Sequence, residues 1–272
     1  MSERTSRHID TACGTARGLV SFVSAGPGAA DLITVRGLQR LQQAQVVLFD
    51  ALTDPALRAW APQAHWIDVG KRGFCDSTRQ TQINALLVHW ATQGGPVVRL
   101  KGGDAGIFGR LEEEIEALQA AGLAYEVVPG VTAALAAAAA AGRPLTRRGR
   151  GRSVSLTTAV ATDAHGQPQL RDSRSADTEV FYMAGRQLAA LGRRLLQAGW
   201  ARDTAVLVVS RAGCADQLVS EHQLAGLAQA ALLHSGRPTV VTVGVGAQAL
   251  GPGCPVSGPM AAAQPAPLEL TP

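Results

Sequence analysis

The segment Val-Val-Arg-Leu-Lys-Gly-Gly-Asp at residues 97–104 constrains the fold of this chain more than any other part of the sequence. Its apolar first half is typical of a buried strand in a parallel sheet, and ligands of open α/β sheets bind where such strands end. Gly102 and Gly103 have no side chains, so a ligand can approach the backbone there. Asp104 follows them as a hydrogen-bond acceptor. The segment therefore predicts a ligand site at the carboxyl end of a strand.

A second segment repeats this pattern nearer to the N-terminus. The apolar run Leu19–Ala25 ends in Gly26, Pro27 and Gly28. Because the carboxyl ends of parallel strands lie at one edge of their sheet, we expect the two glycine loops to line one cleft.

Apolar runs alternate with stretches of helical periodicity along the chain, which is typical of the α/β class. The predicted strands are 19–25, 46–49, 66–69, 97–100 and 125–128, followed by 154–158, 180–182, 206–210 and 240–243. An arginine- and glycine-rich stretch between the two series indicates two domains. We expect a disordered tail over 1–17, an N-terminal α/β domain over 18–144, a linker over 145–152, a C-terminal α/β domain over 153–250 and a disordered Pro/Ala-rich tail over 251–272.

The composition of the 272 residues narrows the class of function. Hydrophobic residues make up 46% of the chain, enough for buried cores, and the longest apolar stretch, around 131–141, is too short to cross a bilayer. We expect no membrane partner and, because the N-terminus lacks a basic-then-apolar leader, a cytoplasmic location. The four cysteines and six histidines show no metal-ligand spacing, so no metal site is expected.

Basic residues form one dense cluster, Arg147, Arg148, Arg150 and Arg152, in a chain of net charge +4. The cluster is compatible with a polycarboxylate or phosphate ligand, and equally with a solvated connector. Aromatic residues make up only 4% of the chain and do not interleave with these arginines, so single-stranded nucleic acid is not an expected partner.

Lysine is almost absent from the sequence. Lys71 and Lys101 are the only lysines among 25 basic residues, and each lies beside a glycine after a predicted strand. A lysine shifts its pKa readily when it is buried, which an arginine does not. The placement therefore favours a functional role at the sheet edge, with chance placement in loops as the alternative.

The motifs, taken together and in this order, resemble those of uroporphyrinogen-III C-methyltransferases, a group within the tetrapyrrole methylase family. The matching motifs are Gly26-Pro27-Gly28, Asp50, Gly70-Lys71-Arg72, Leu100–Asp104, Ile107–Arg110, Val128–Ala133 and Tyr182-Met183. They occur at near-family spacing from about Val20 to Val243, so the resemblance covers nearly all of the predicted ordered chain.

The resemblance implies the two-domain tetrapyrrole methylase (class III methyltransferase) fold, with the active site in the interdomain cleft, and a homodimer. It also implies S-adenosyl-L-methionine as cofactor. The implied cofactor contacts are Pro27, Gly102, Gly103, Asp104, Ile107, Thr132, Ala133, Met183 and the backbone near Ala212. Glycines, a helix that begins near Thr132 and apolar side chains suit such a ligand. For Met183, a place in the core is the alternative.

The implied reaction methylates two pyrrole carbons of uroporphyrinogen III to give precorrin-2, which leads to sirohaem, cobalamin or haem d1. By resemblance, the residues that carry it are Asp50 and Lys71 in base and acid roles, and Arg110, Glu113 and Arg148 in a polar cluster that faces the tetrapyrrole. A polycarboxylate substrate suits arginine, which binds carboxylates bidentately. Glu113 belongs to a run of three glutamates, for which a solvated helix face is the alternative.

The sequence departs from the family pattern on the predicted substrate side. Ala105-Gly106 replaces the usual Pro-Phe pair, Leu111-Glu112 replaces two glycines, and Thr158-Ala159-Val160 replaces Thr-Gly-His. The sequence is therefore compatible with three functions: C-methylation of uroporphyrinogen III, methylation of a later precorrin intermediate, and binding of tetrapyrrole or cofactor without catalysis. An RNA methyltransferase of the same fold is a further hypothesis, which rests only on the arginine cluster.

Overall fold

A computed structural model describes residues 18–70, 80–159 and 175–251. The predicted tail over 1–17, all but the first residue of the predicted tail over 251–272, and Lys71 lie outside the described residues. The described residues form two five-stranded sheets with helices packed against them.

The first sheet is entirely parallel, as the alternating pattern predicts. Its strands are β1 (Val20–Ser24), β2 (Val46–Phe49), β3 (His65–Asp68), β4 (Val97–Lys101) and β5 (Tyr125–Val128), in the order β3-β2-β4-β1-β5. The helices that follow them are α1 (Val35–Gln43), α2 (Gln80–Thr92), α3 (Leu111–Ala120) and α4 (Ala133–Ala140). Short 3-10 helices at Ala30–Leu32 and Pro55–Trp60 complete this half. The segment 97–104 therefore comprises the central strand β4 and the loop that follows its carboxyl end.

The inner strands β1, β2 and β4 are buried on both faces, and their successive side chains point to opposite faces. On β1, Phe22 packs in a core cluster with residues of α2 and α3. The next residue, Val23, packs in a second cluster with Leu41 of α1 and Leu57 of the second 3-10 helix. Burial on both sides is why β1, β2 and β4 are largely apolar, whereas the edge strands β3 and β5 are partly exposed.

The second sheet is mixed. It comprises β6 (Val154–Thr158), β7 (Thr178–Tyr182), β8 (Ala205–Ser210), β9 (Leu218–Gln223) and β10 (Thr239–Gly244), in the order β6-β7-β10-β8-β9. Only β6 and β7 pair in parallel. This half also contains α5 (Leu188–Gln197), α6 (Ala231–His234) and 3-10 helices at Ala184–Arg186, Leu224–Ala230 and Val245–Ala247.

Strand β9 is absent from the predicted elements. It lies at the edge of the sheet, pairs only with β8, and its residues are alternately exposed and half-buried. An edge strand with one wet face needs few apolar residues, so the run Leu-Val-Ser-Glu-His-Gln gives a weak sequence signal.

Helix α4 belongs to the packing of the second sheet, although the predicted division at 144 places it in the first domain. Ala134 and Ala137 lie in one buried cluster with Val180, Leu207 and Val240. Alanine side chains let the helix lie close to the sheet. The domain boundaries themselves stay a prediction.

The arginine cluster divides into buried and exposed members. Arg147 is buried and donates to the backbone carbonyls of Gln248 and Ala249, and it pairs with Gly151 across a tight turn. Arg148 lies exposed within that turn. The solvated-connector interpretation therefore fails for Arg147, which holds the turn against the end of the second sheet.

A hydrogen-bond chain with a buried histidine at its centre lies at the β8 side of this sheet. His234 is fully buried, with Nδ1 2.6 Å from Ser210 Oγ and Nε2 2.8 Å from Ser220 Oγ. Thr239 Oγ1 donates to the carbonyl of Arg237, so Ser210 donates to Thr239 and accepts from Nδ1 of His234. Nε2 of the neutral ring then accepts from Ser220. A second proton, on Nε2 of the ring, would prevent Ser220 from donating there and would break this chain of hydrogen bonds.

We expect this histidine to make the protein less stable in acid. Burial, together with the smaller effects of the charges of His222 and Arg237, lowers the pKa of His234 from 6.5 to about 4. The unfolded chain therefore binds the proton first, and the free energy of unfolding should fall between pH 6.5 and 4, by at most ~1.4 kcal/mol per pH unit for one proton.

Urea unfolding of the wild type and of His234→Gln at several pH values across this window measures the effect. The variant should show a smaller loss of stability in acid, and His89→Gln, on an exposed helix face, should match the wild type. An unchanged pH dependence in His234→Gln would refute the assignment.

Candidate active site

The two predicted glycine loops lie side by side at the carboxyl edge of the first sheet. Gly26 and Gly103 exchange two backbone hydrogen bonds, of 3.2 Å from Gly26 N to Gly103 O and 2.7 Å from Gly103 N to Gly26 O. Gly103 has a φ of 73°, and apart from its two chain neighbours no described residue comes within 4 Å of the place where a Cβ would lie. The backbone of Gly103 therefore borders open space at the edge of the central strand, as a ligand site requires.

The loop after β1 also touches the second half of the chain. Ala29 N donates to Gly213 O at 3.0 Å, and a Cβ added to Gly28 would lie 2.6 Å from Ala212 O. Only glycine allows this approach. The contact brings Pro27 and the backbone of Ala212, both expected to touch the cofactor, close together where the two halves of the chain meet.

We expect Gly28→Ala to damage both stability and cofactor binding. The added methyl group has to push the loop around Ala212 and Gly213 away, and overpacking of this kind costs about 1–3 kcal/mol. Gly226→Ala is the matched control, because its nearest atom would be 3.8 Å away. Calorimetric titration with S-adenosylhomocysteine and urea unfolding measure the two effects. Equal results for both variants would contradict this account.

Asp104 joins the loop after β4 to the loop before α4. Its Oδ2 accepts from Gly130 N at 2.8 Å and its Oδ1 accepts from Gly106 N at 2.9 Å. The sequence suggests that this carboxylate serves the cofactor, and in the structure both oxygens also accept from the protein's own backbone. Asp104 therefore shapes the cleft whether or not it touches the cofactor.

The departure from the family pattern after Asp104 is accommodated locally. Ala105 N donates to Ser24 Oγ at 2.9 Å in a buried position. A proline, the usual residue here, has no N–H and cannot make this bond. The substitution therefore exchanges a stiff residue for a hydrogen bond between β1 and the loop.

The start of α4 is tied to the end of β7. Thr132 Oγ1 lies 2.7 Å from the hydroxyl of Tyr182, and Thr132 makes no side-chain bond to the first turn of α4. Phe108 packs edge-on against the Tyr182 ring, with 5.0 Å between the centroids. Burial raises the pKa of the Tyr182 phenol, which keeps it neutral. Ala133 is the first residue of α4. Ile107 packs against the apolar cluster that contains Tyr182.

Strained backbone conformations occur in the segments that follow three strands. The non-glycine residues with positive φ in the described ranges are Phe108 (54°), Arg110 (54°), Met183 (57°) and Arg211 (51°). All four follow β4, β7 or β8, and such conformations cost about 1–3 kcal/mol each and cluster at ligand sites. Met183 is 51% exposed, which excludes the alternative of a core methionine.

Arg110 and Glu113, predicted to face the substrate, form a bidentate pair. Arg110 Nε donates to Glu113 Oε1 at 2.7 Å and Nη2 donates to Oε2 at 2.6 Å, and both side chains are nearly half exposed. They line a cavity of about 600 Å³ together with Phe108. The pair thus presents one arginine and one carboxylate to a surface cavity that Gly106 and Gly109 also line.

Asp50, the predicted base, lies directly after β2. Its carboxylate accepts from Arg99 Nη2 at 2.6 Å and is 30% exposed. The loop after β3 lies against the next residue, since a Cβ on Gly70 would be 2.2 Å from Ala51 N. The chain therefore runs past Asp50 just before Lys71, which itself lies outside the described residues.

Sequence reasoning missed Arg99 and Glu114, which are both buried beside this site. An arginine inside the apolar run of β4 was an available signal, because a buried charge needs a partner. Glu114 was hidden in a run of three glutamates. Its spacing of four residues from the buried Leu118 places it on the inner face of α3 and could have identified it.

Two further observations concern membrane-spanning helices and metal-binding side chains. Within 18–70, 80–159 and 175–251, no helix is both long and apolar enough to cross a membrane. In the same ranges, no group of His, Cys, Asp and Glu side chains is arranged to hold a metal ion.

Comparison with known proteins places this site in a family. The family model of tetrapyrrole (corrin/porphyrin) methylases matches residues 19–228. Uroporphyrinogen-III C-methyltransferase of Pseudomonas aeruginosa is 44% identical over 200 residues, which cover 74% of this chain and 82% of that protein. Siroheme synthase 1 of Serratia proteamaculans is 44% identical over 233 residues, which cover 84% of this chain and 48% of that protein. The chain thus spans about half the length of such siroheme synthases.

Solved structures show the same architecture. Uroporphyrin III C-methyl transferase of Thermus thermophilus superposes with a TM-score of 0.73 at 33% identity, over 84% of this chain and 97% of that one. A second structure of the Thermus thermophilus enzyme, with the same scores and coverage, is a complex with S-adenyl homocysteine. A cobalt precorrin-4 methyltransferase gives a TM-score of 0.73 at 28% identity, over 85% of this chain and 96% of that one. These matches confirm the predicted two-domain fold, and with the family model they establish that this chain belongs to the tetrapyrrole methylase family.

Proposed function

We propose that this chain is an S-adenosylmethionine-dependent C-methyltransferase that transfers two methyl groups to uroporphyrinogen III and gives precorrin-2. The observation that carries the proposal is the open glycine cleft, with Gly26 paired to Gly103 and Gly28 seated against Ala212. It occurs in a chain that is 44% identical to a protein named for this activity.

The cofactor is proposed to lie along this cleft. Gly102 and Gly103 offer backbone groups, Asp104 and Thr132 hold the adjacent loops, and Met183 supplies an exposed apolar surface. Pro27, Ile107, Ala133 and Ala212 complete the proposed set. When bound, the sulfonium supplies an activated methyl group. The protein therefore has to align the acceptor carbon with that methyl group and exclude water.

The substrate side is proposed to bind carboxylates and to accept a proton. A ring carbon gains the methyl group and the ring system loses one proton, for which the exposed carboxylate of Asp50 is the proposed acceptor and Lys71 the proposed acid. Arg110, oriented by Glu113, and Arg148 are the proposed carboxylate ligands. We also propose that the protein is a homodimer in the cytoplasm; light scattering on the purified protein tests the dimer.

Anaerobic incubation with S-adenosylmethionine and uroporphyrinogen III, followed by mass spectrometry of the oxidised tetrapyrrole, tests the activity. A gain of two methyl groups is expected, and heat-inactivated protein is the control. No gain beside an active control enzyme would refute the proposal.

Methylation of a later precorrin is the second candidate. It is favoured by the changed loop at Ala105-Gly106 and by the structural similarity to the cobalt precorrin-4 methyltransferase. Methyl gain on precorrin substrates but not on uroporphyrinogen III would select it. Binding of S-adenosylhomocysteine with no methyl transfer to either would instead identify a non-catalytic binder.

A further inference from the structure

Four charged side chains form a connected array beneath the substrate side. Arg99, in the middle of β4, donates to Asp50 Oδ1 (2.6 Å), to Glu114 Oε1 (3.2 Å) and to the carbonyls of Leu48 (3.3 Å) and Leu100 (3.1 Å). One guanidinium therefore links the end of β2 to the first turn of α3.

The positive and negative charges of the array are equal in number. Lys101 Nζ lies 3.0 Å from each carboxylate oxygen of Glu114, and Gln80 Nε2 donates to Glu114 Oε1 at 3.2 Å. The array thus holds two cations and two carboxylates. The side chains of Arg99, Lys101 and Glu114 are 2%, 3% and 1% exposed, and that of Asp50 is 30% exposed.

Stability is a poor explanation for such an array. Taking charges out of water costs several kcal/mol per ion, and well-packed apolar side chains often replace buried ion pairs without loss of stability. The shortest bond that Arg99 makes in this array goes to Asp50, the one member that faces solvent. Arg99 therefore connects the buried charges to the carboxylate that the reaction is proposed to use.

The array also supports the neighbouring substrate-side pair. Asn84 Nδ2 donates to the backbone carbonyl of Glu113 at 3.0 Å, one residue before Glu114. Glu113 in turn pairs with Arg110. Asn84 Oδ1 accepts from Gln80, which also donates to Glu114, so the backbone of Glu113 is connected to the array through these two amides.

We propose that Arg99 is a positioning residue, which fixes the Asp50 carboxylate toward the tetrapyrrole, and that Glu114 supplies the counter-charge that lets Arg99 and Lys101 lie side by side. This inference rests on the proposed function, because it assigns Asp50 a part in that reaction. Arg99 itself touches neither substrate nor cofactor in this account.

A double-mutant cycle separates positioning from a general structural effect. We expect Arg99→Met to lower kcat by about tenfold or more while the affinity for S-adenosylhomocysteine stays within about twofold. In an Asp50→Asn background, Arg99→Met should change kcat by less than about twofold, because the group that it positions is already lost. Arg99→Lys, which keeps the charge but not the forked geometry, should restore part of the activity.

Arg99→Met is expected to fold, since Asp50 can be solvated and Glu114 keeps Lys101 as its partner. Arg40→Met is the matched control. It breaks a partly exposed pair between α1 and Glu126 of β5, in the same half of the chain, and should leave kcat unchanged.

The outcomes distinguish the two proposals. If the wild type makes no methylated product, the proposed function is overturned, and the role of Arg99 falls with it. If the wild type is active and Arg99→Met lowers kcat equally in both backgrounds, Arg99 is structural and the inference is overturned. If Arg99→Met does not fold, the same cycle with Arg99→Lys decides between these results.

Discussion

Glu114→Ala should lower the free energy of unfolding by about 3–5 kcal/mol, whereas Glu113→Ala, one residue earlier, should cost less than about 1 kcal/mol. The Glu114 side chain is 1% exposed and is the carboxylate between Arg99 and Lys101. Its removal leaves two cations buried side by side with Asp50 as the only carboxylate of the array. The Glu113 side chain is 45% exposed and pairs with Arg110 at the surface, where water replaces a lost partner.

The ionisation of Lys101 explains why the loss at Glu114 is large. Burial lowers the pKa of the Lys101 ammonium, the charge of Arg99 lowers it further, and the Glu114 carboxylate opposes both effects. Without Glu114 the ammonium loses its bonded carboxylate, so the protein must either bury an unpaired charge or release the proton.

Urea unfolding followed by circular dichroism gives both values. Glu114→Gln should fall between wild type and Glu114→Ala, because the amide oxygen keeps one acceptor and loses the charge. Equal stability of the Glu113 and Glu114 variants would show that the buried array does not contribute as described.

Asp104→Ala should weaken binding of S-adenosylhomocysteine by about tenfold to a hundredfold, or 1.4–2.8 kcal/mol. The carboxylate joins Gly106 and Gly130 through two charge-assisted bonds to backbone N–H groups. Without it, the loop after β4 is no longer held to the start of α4, and the two sides of the glycine cleft separate. The loss of these bonds should also lower the free energy of unfolding by about 1–3 kcal/mol.

Isothermal titration calorimetry measures the affinity directly. Asp104→Asn is the informative partner variant, because its single amide oxygen retains one of the two bonds and should recover part of the affinity. Unchanged affinity in Asp104→Ala would show that Asp104 does not contribute to cofactor binding.

The same segment shows how far sequence reasoning reached. The run of residues 97–100 predicted a buried strand, and the glycines after it predicted an open loop, because both signals are local. The bond partners of Asp104 were not predictable, since Gly130 lies 26 residues away in the sequence. The edge strand β9 was missed because only its pairing with β8 makes it a strand.

The sequence by itself determined the α/β class, the parallel first sheet and the positions of the two glycine loops. Each depends on apolar periodicity or on the absence of a side chain, which are properties of neighbouring residues. Only the tertiary structure decided that Glu114 lies between Arg99 and Lys101, that Arg99 faces Asp50, and that α4 packs on the second sheet. These features depend on the rotation of a helix and on contacts between segments that are distant in the sequence. Only such contacts supply the partners that offset the free-energy cost of burying a charge.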